Sequence, residues 1–97
     1  MTSEGPVVSI VQHGRRFEIL LGDERAGLTT FHDDAGVRTF VHTEIDPAFE
    51  GRGLASRLIR EALDQTRAAG LKVVPQCPFV RAFIEQHPEY ADLVVAA

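Results

Sequence analysis

The chain has 97 residues, of which 44% are hydrophobic and 25% are charged, and its formal net charge is −4 at pH 7. These values are typical of a globular protein with a modest core, and we expect residues 1–97 to form one domain. The acidic balance argues against a nucleic-acid partner, and no apolar run approaches the roughly 20 residues of a membrane helix, so no membrane partner is expected.

Cys77 is the single cysteine, so the chain cannot form an internal disulfide. A protein without disulfides suits a reducing compartment, and residues 1–6 are short and polar rather than a signal peptide. We therefore expect a cytoplasmic protein, a monomer or a weak dimer, in which residues 1–6 are a frayed tail. No Cys/His spacing is typical of a metal site, so no metal is predicted.

The first part of the chain predicts an antiparallel β meander. Apolar β-branched residues at 7–11 indicate a first or edge strand, and alternating residues at 16–21 and 25–32 indicate the next two strands. Residues 33–36 contain two aspartates and a glycine, which predict a hairpin connection of about four residues. Residues 37–45 are expected to form the longest strand. Consecutive short connections favour antiparallel pairing.

The second part predicts a helix, a short strand and another helix. Apolar residues recur every three or four positions over residues 53–69, and Gly70 is a natural stop. Residues 71–75 indicate a short buried strand, and Pro78 suits the first turn of the second helix. The predicted apolar face of that helix carries Phe79, Val80, Phe83 and Ile84. The two strands joined through the first helix can be parallel neighbours, so the predicted fold class is α+β.

The stretch between the strand at 37–45 and the first helix contains Gly51 and Gly53. Glycine permits backbone angles that other residues avoid, and the first N–H groups of a helix lack an intrahelical acceptor. With the helix dipole, such a turn can bind phosphate or pyrophosphate, although a tight turn without a ligand is equally typical. No P-loop is present, and Ser56 stands where a dinucleotide fingerprint needs glycine. The remaining interpretation is a short turn that binds the pyrophosphate of an acyl-CoA.

Cys77 and His42 are the candidates for chemistry. Cys77 follows the second of the two parallel strands and the glycine turn follows the first, so both lie at the same edge of the sheet. A thiol near a helix N terminus can become a nucleophile, although free cysteine is as often a small buried apolar residue. A histidine within a strand, such as His42, packs or forms a hydrogen bond more often than it acts as a base. No serine-hydrolase elbow is present.

Four segments together resemble the small single-domain GNAT-like N-acetyltransferases, the YjdJ-type family whose human relative is called N-acetyltransferase domain-containing protein. They are His42-Thr43-Glu44-Ile45-Asp46-Pro47, Gly51-Arg52-Gly53-Leu54-Ala55-Ser56-Arg57-Leu58, Val73-Val74-Pro75-Gln76-Cys77-Pro78-Phe79 and His87-Pro88-Glu89-Tyr90. The resemblance covers roughly residues 16–94. It implies a minimal GNAT-like fold, a mostly antiparallel meander followed by helix–strand–helix, with acetyl-CoA or coenzyme A as co-substrate.

The resemblance also implies a set of site residues. The family holds the CoA pyrophosphate on backbone N–H groups, and Gly53 and Ala55 match the last two fixed positions of its motif. The residues implied for cofactor binding are Thr43, Glu44, Ile45, Gly51, Arg52, Gly53, Leu54, Ala55, Ser56 and Arg57. Cys77 and His42 match the cysteine and histidine that the family is suspected to use. Glu50 departs from the motif, because a basic or amide residue is usual there, and Arg52 and Arg57 could offset its charge.

The implied function is acetyl-CoA-dependent N-acetyl transfer to an unidentified amine acceptor, which could be a protein, a peptide or a small amine. His42 would act as general base or orient Cys77, and Cys77 would accept the acetyl group or line the thioester pocket. The alternative is a CoA-binding or acyl-CoA-binding module without efficient turnover, acting as a sensor or an interaction protein. A third hypothesis is an interaction domain without a cofactor.

Overall fold

The computed structural model describes residues 7–95, so the frayed tail predicted for residues 1–6 lies outside the described residues. The strands are β1 (Val8–His13), β2 (Arg16–Leu21), β3 (Glu24–Asp34), β4 (Val37–Ile45) and β5 (Lys72–Pro75). They form one sheet in the order β1-β2-β3-β4-β5, in which β4 and β5 are parallel and the other neighbouring strands are antiparallel. This arrangement confirms the predicted α+β fold class and the predicted meander.

Two helices, α1 (Leu54–Ala68) and α2 (Pro78–Gln86), pack on the same face of the sheet and share one core with it. The core includes Phe17, Phe40, Leu58, Ile59 and Val73, each with 0% exposure. Burial of each such side chain contributes about 1.5–3 kcal/mol. Within residues 7–95, no helix covers the other face of the sheet. None of the described helices is long and apolar enough to cross a membrane.

The β3–β4 hairpin differs from the prediction of a four-residue connection. Only Ala35 and Gly36 form the turn, with φ values of 53° and 80°, which suit the twist of a two-residue hairpin. Asp33 is a strand residue that pairs with Arg38, whose guanidinium donates to both of its carboxylate oxygens at 2.8 and 2.9 Å. As a result β3, with 11 residues, is longer than β4, with 9.

The parallel pairing covers all of β5 but only the first four residues of β4. Pairing runs from Val37 and Lys72 to Phe40 and Pro75, and the Cys77 N–H then donates to Phe40 O at 2.9 Å. Beyond Phe40, β4 continues for five residues without β5 beside it. A gap therefore opens beside β4 where β5 ends, on the side of the sheet edge where the glycine turn lies.

A β-bulge in β4 lies at the start of this gap. The register against β3 shifts between the pairs Thr30–His42 and Phe31–Phe40, so β4 contains one extra residue, Val41. Because side chains of a strand alternate between faces, the extra residue changes which positions face the helices. Thr43, rather than His42, shares the covered face with Phe40.

Candidate active site

The turn between β4 and α1 presents a row of backbone donors. Gly51 and Gly53 have φ values of 82° and 72°, in the left-handed region that favours glycine. Gly53 is the N-cap of α1, and the first bond of the helix runs from Arg57 N–H to Gly53 O at 3.2 Å. Within the described part of the chain, the N–H groups of residues 51–56 have no hydrogen-bond acceptor. Consecutive free N–H groups at a helix N terminus form a site for an anion.

This turn forms one wall of a groove with a volume of about 320 Å³. The lining residues are Thr43, Glu44, Ile45, Phe49, Glu50, Gly51, Gly53, Leu54, Ala55, Ser56 and Phe79. The structure therefore brings together all the residues predicted to bind the cofactor except Arg52 and Arg57, which are exposed beside the turn. Arg52 lies over the ring of Phe49, with its guanidinium carbon 5.5 Å from the ring centroid.

Phe79 is not on the buried face of α2, where the sequence placed it. Its exposure is 40%, and it lies in the wall of the groove. The buried stripe of α2 consists of Val80, Phe83 and Ile84, at positions i, i+3 and i+4, and Phe79 falls outside that stripe. An exposed ring here can cover an apolar ligand.

The opposite wall of the groove is the free edge of β4. Asp46 N–H donates to Ala26 O on β3 at 2.7 Å. Because hydrogen-bonding residues alternate along an antiparallel ladder, the backbone groups of Glu44 also face β3, whereas those of Thr43 and Ile45 face the gap. A ligand that contains amide groups can pair with this edge as a further strand does.

Cys77 is buried, with 3% exposure, at the N-cap of α2. Its Sγ donates to Thr43 Oγ1 at 3.3 Å, and Thr43 Oγ1 lies 2.9 Å from Thr29 Oγ1. Sequence reasoning did not identify Thr29, which has 0% exposure. The signal that could have found it is a threonine at a position of β3 where the alternation requires a core residue.

His42 lies on the uncovered face of β4, opposite to Thr43 and Cys77. Its Nε2 is 3.3 Å from Glu44 Oε1, and both side chains are 59% exposed. Within residues 7–95 no hydrogen bond joins His42 to Cys77. The structure thus separates the two residues that were predicted to carry the chemistry, because the bulge at Val41 places them on different faces.

A sheet with a gap beside β4 where β5 ends, next to a glycine turn at which a helix begins, is the architecture expected for a GNAT-like acyltransferase. A profile of the GCN5-related N-acetyltransferase family matches residues 16–93, so the chain belongs to this family. The match confirms the resemblance found in the sequence.

Relatives agree with this assignment. The chain is 30% identical over 83 residues to the protein NATD1 of Homo sapiens, which covers 80% of this chain and 74% of the relative. The solution structure of a GCN5-like protein from Staphylococcus aureus matches with a TM-score of 0.73 and 21% identity, over 92% of this chain and 89% of that chain.

A more distant structural neighbour contains a ligand. It is an N-acetylglutamate synthase from Neisseria gonorrhoeae, solved in complex with coenzyme A and N-acetyl-glutamate. Its TM-score is 0.59 with 13% identity, over 86% of this chain and 26% of that chain. At such identities, the two structural matches establish the likeness of fold.

Proposed function

We propose that this protein is an acetyl-CoA-dependent N-acetyltransferase that transfers the acetyl group to an amine acceptor. The observation that carries the proposal is the row of free N–H groups at residues 51–56, which adjoins the free edge of β4 in one groove. Membership of the GCN5-related family and the coenzyme A held by the Neisseria neighbour support acetyl-CoA as the donor. A single cysteine fits a cytoplasmic setting, and we propose a monomer or a weak dimer.

Each part of the cofactor has a counterpart in the groove. The N–H groups of residues 51–56 are proposed to hold the pyrophosphate, with Arg52 and Arg57 supplying positive charge beside it. The amide-containing arm is proposed to pair with the backbone of Thr43 and Ile45, and Phe79 covers it. This binding places the thioester near the point where β5 ends beside β4.

The proposed reaction is direct transfer on the uncovered face of β4. The amine nitrogen attacks the thioester carbonyl, the C–S bond breaks, and coenzyme A leaves as a thiolate. His42 takes the proton from the attacking amine and Glu44 orients the imidazole. Glu44 also lines a depression of about 390 Å³, together with Arg25, Leu28 and Asp46, and the acceptor is proposed to approach His42 from there.

Transfer through Cys77 is the alternative route for the same overall reaction. In that route the Sγ thiolate attacks the thioester carbonyl and coenzyme A leaves as a thiolate. The acceptor amine then attacks the acetyl-cysteine, and Cys77 leaves as a thiolate. Burial of Cys77 to 3% exposure and its hydrogen bond to Thr43 favour the direct route. Intact-mass spectrometry after incubation with acetyl-CoA separates the two, because a gain of one acetyl group that is lost in Cys77→Ala supports the covalent route.

A second candidate function is a CoA-binding module without efficient turnover. Glu50 favours it, because this carboxylate lines the groove where a diphosphate is proposed to bind. The uncovered face of the sheet, where the acceptor is proposed to bind, also favours the CoA-binding module, since no helix lies on it within residues 7–95.

Calorimetric titration with coenzyme A and acetyl-CoA, followed by a thiol-release assay with a panel of amines, tests the proposal. Saturable binding and acceptor-dependent release of coenzyme A are the expected results. Binding without release and without an acetyl mass gain would support the module, and the absence of binding would exclude both functions.

A further inference from the structure

Cys77 contacts β4 at two points, one on each side of the bulge. Its backbone N–H donates to Phe40 O at 2.9 Å, and its Sγ donates to Thr43 Oγ1 at 3.3 Å. Phe40 and Thr43 flank the bulged residue Val41. Since β5 ends at Pro75, Cys77 continues the contact with β4 and joins the N terminus of α2 to it, next to Thr43, which lines the groove.

The hydrogen bonds that continue from Cys77 have only one consistent direction. His42 O is a carbonyl oxygen and can only accept, so the Thr29 hydroxyl, 3.2 Å away, donates its single proton to it. Thr29 Oγ1 must then accept from Thr43, and Thr43 Oγ1 in turn accepts from the Cys77 thiol. The chain runs from Cys77 through Thr43 and Thr29 to a carbonyl that cannot pass a proton onward.

No charged side chain takes part in this chain of hydrogen bonds within residues 7–95. The titratable neighbours on β4, His42 and Glu44, point to the other face and contact each other. The direction of the chain is therefore set by the two threonine hydroxyls and the carbonyl alone.

We propose that Thr29 is a positioning residue of this site: through Thr43 it fixes the Cys77 thiol as a hydrogen-bond donor, which secures α2 at the groove. A thiol in this role is not the nucleophile of an acyl transfer, because the reactive form is the thiolate. That Thr29 serves an acyl-CoA groove rests on the proposed function. The role of the Cys77 thiol as a hydrogen-bond donor does not depend on the proposed function, and it can be tested without any ligand.

The first test is the rate of alkylation of Cys77 by iodoacetamide as a function of pH, followed by intact mass. In Thr29→Val the Thr43 hydroxyl loses its acceptor and turns to donate to Sγ, which stabilises the thiolate. We expect alkylation near neutral pH to be faster by about tenfold, the size of one hydrogen bond to a charged group. Thr29→Ser keeps the hydroxyl and should restore the slow rate of the wild type.

Thr43→Val is the matched control for loosened packing. It removes a buried hydroxyl from the same chain but leaves nothing to donate to Sγ, so its alkylation should be slower than that of Thr29→Val. Urea midpoints of both variants check that each is folded. Equal acceleration in both variants would overturn the proposal, since opening of the core would then explain the effect. A wild-type alkylation rate in Thr29→Val would also overturn it.

The second test measures the affinity of the groove by calorimetry with coenzyme A. Cys77→Ser keeps a donor toward Thr43 and Cys77→Ala removes it, so the Kd of the alanine variant should exceed that of the serine variant. Equal Kd values would contradict the securing role of the thiol. If the wild type does not bind coenzyme A, the proposed function fails, and the alkylation rates still decide the direction of the chain.

Discussion

His42 and Glu44 contact each other on the uncovered face of β4, with 3.3 Å between Nε2 and Oε1. The residue between them, Thr43, faces the helices and accepts a hydrogen bond from Cys77. Neighbouring residues of β4 thus place their side chains on opposite faces of the sheet. The imidazole and its carboxylate are exposed, whereas the Thr43 hydroxyl and the Cys77 thiol lie on the helix side of β4, where we propose that the cofactor binds.

We predict that His42→Gln lowers kcat by about 10²–10⁴, the usual contribution of a general base, and leaves the Kd for coenzyme A near the wild-type value. Glu44→Gln should lower kcat by about tenfold, because the amide still accepts a hydrogen bond but lacks the charge that orients the imidazole. Steady-state kinetics and calorimetry are the measurements. Wild-type turnover in His42→Gln would remove His42 from the mechanism.

We predict that Gly53→Ala weakens coenzyme A binding. A Cβ at Gly53 meets no atom within 4 Å, so the effect comes from the φ of 72°, which costs a side-chain-bearing residue about 1–2 kcal/mol. Gly70→Ala is the matched control, because its φ is 76°, its Cβ also meets nothing, and it lies beyond the other end of α1. Both variants should lose similar stability in urea, and only Gly53→Ala should lose affinity. Equal affinities would contradict a pyrophosphate site at this turn.

Removal of the carboxylate in the groove should improve binding. We expect Glu50→Gln to tighten coenzyme A binding about fivefold at low ionic strength, which corresponds to about 1 kcal/mol of relieved repulsion, and less at high salt. Glu61→Gln removes the same charge from the exposed side of α1, where Glu61 accepts from Gln65 at 3.0 Å, and should have no such effect. Calorimetry at two salt concentrations checks both variants, and equal gains would indicate a general effect of net charge.

Acid should destabilise the fold through Asp33. The hydrogen bonds from Arg38 hold the pKa of this carboxyl below its ordinary value of 3.8. A pKa that is lower in the folded state contributes stability that is present above the unfolded value and is lost as the pH falls through the folded value. The free energy of unfolding should therefore decrease below about pH 4, and Asp33→Asn should flatten this dependence.

The control for this prediction is Asp34→Asn, which removes a carboxylate that forms no ion pair within residues 7–95. At neutral pH, Asp33→Asn should cost about 1 kcal/mol, because the Arg38 guanidinium, only 8% exposed, loses its charged partner. The cost is modest since the Asp33 side chain is itself 42% exposed and partly screened by solvent. Urea titrations from pH 3 to pH 7 measure both quantities. An unchanged pH dependence in Asp33→Asn would show that other carboxylates dominate.

Much of the fold was predictable because its signals are local. The alternation at residues 16–21 predicted β2, and the strand-like run at residues 37–45 predicted β4, with the bounds that the structure has. The three- and four-residue spacing and Gly70 predicted α1 within one residue at each end. The glycine turn was predicted to be either an anion site or a tight turn without a ligand, and this stays a prediction, while the structure brings most of the predicted cofactor residues into one groove.

The sequence by itself thus determined the order and type of the elements, the family and the position of the turn. The tertiary structure decided the two-residue hairpin, in which Asp34 pairs with Val37, and the bulge at Val41, since both depend on the register between β3 and β4. Register is a property of paired strands, and a shift of one residue exchanges the two faces of a strand. For that physical reason, the separation of His42 from Cys77 could not be read from either residue's place in the chain.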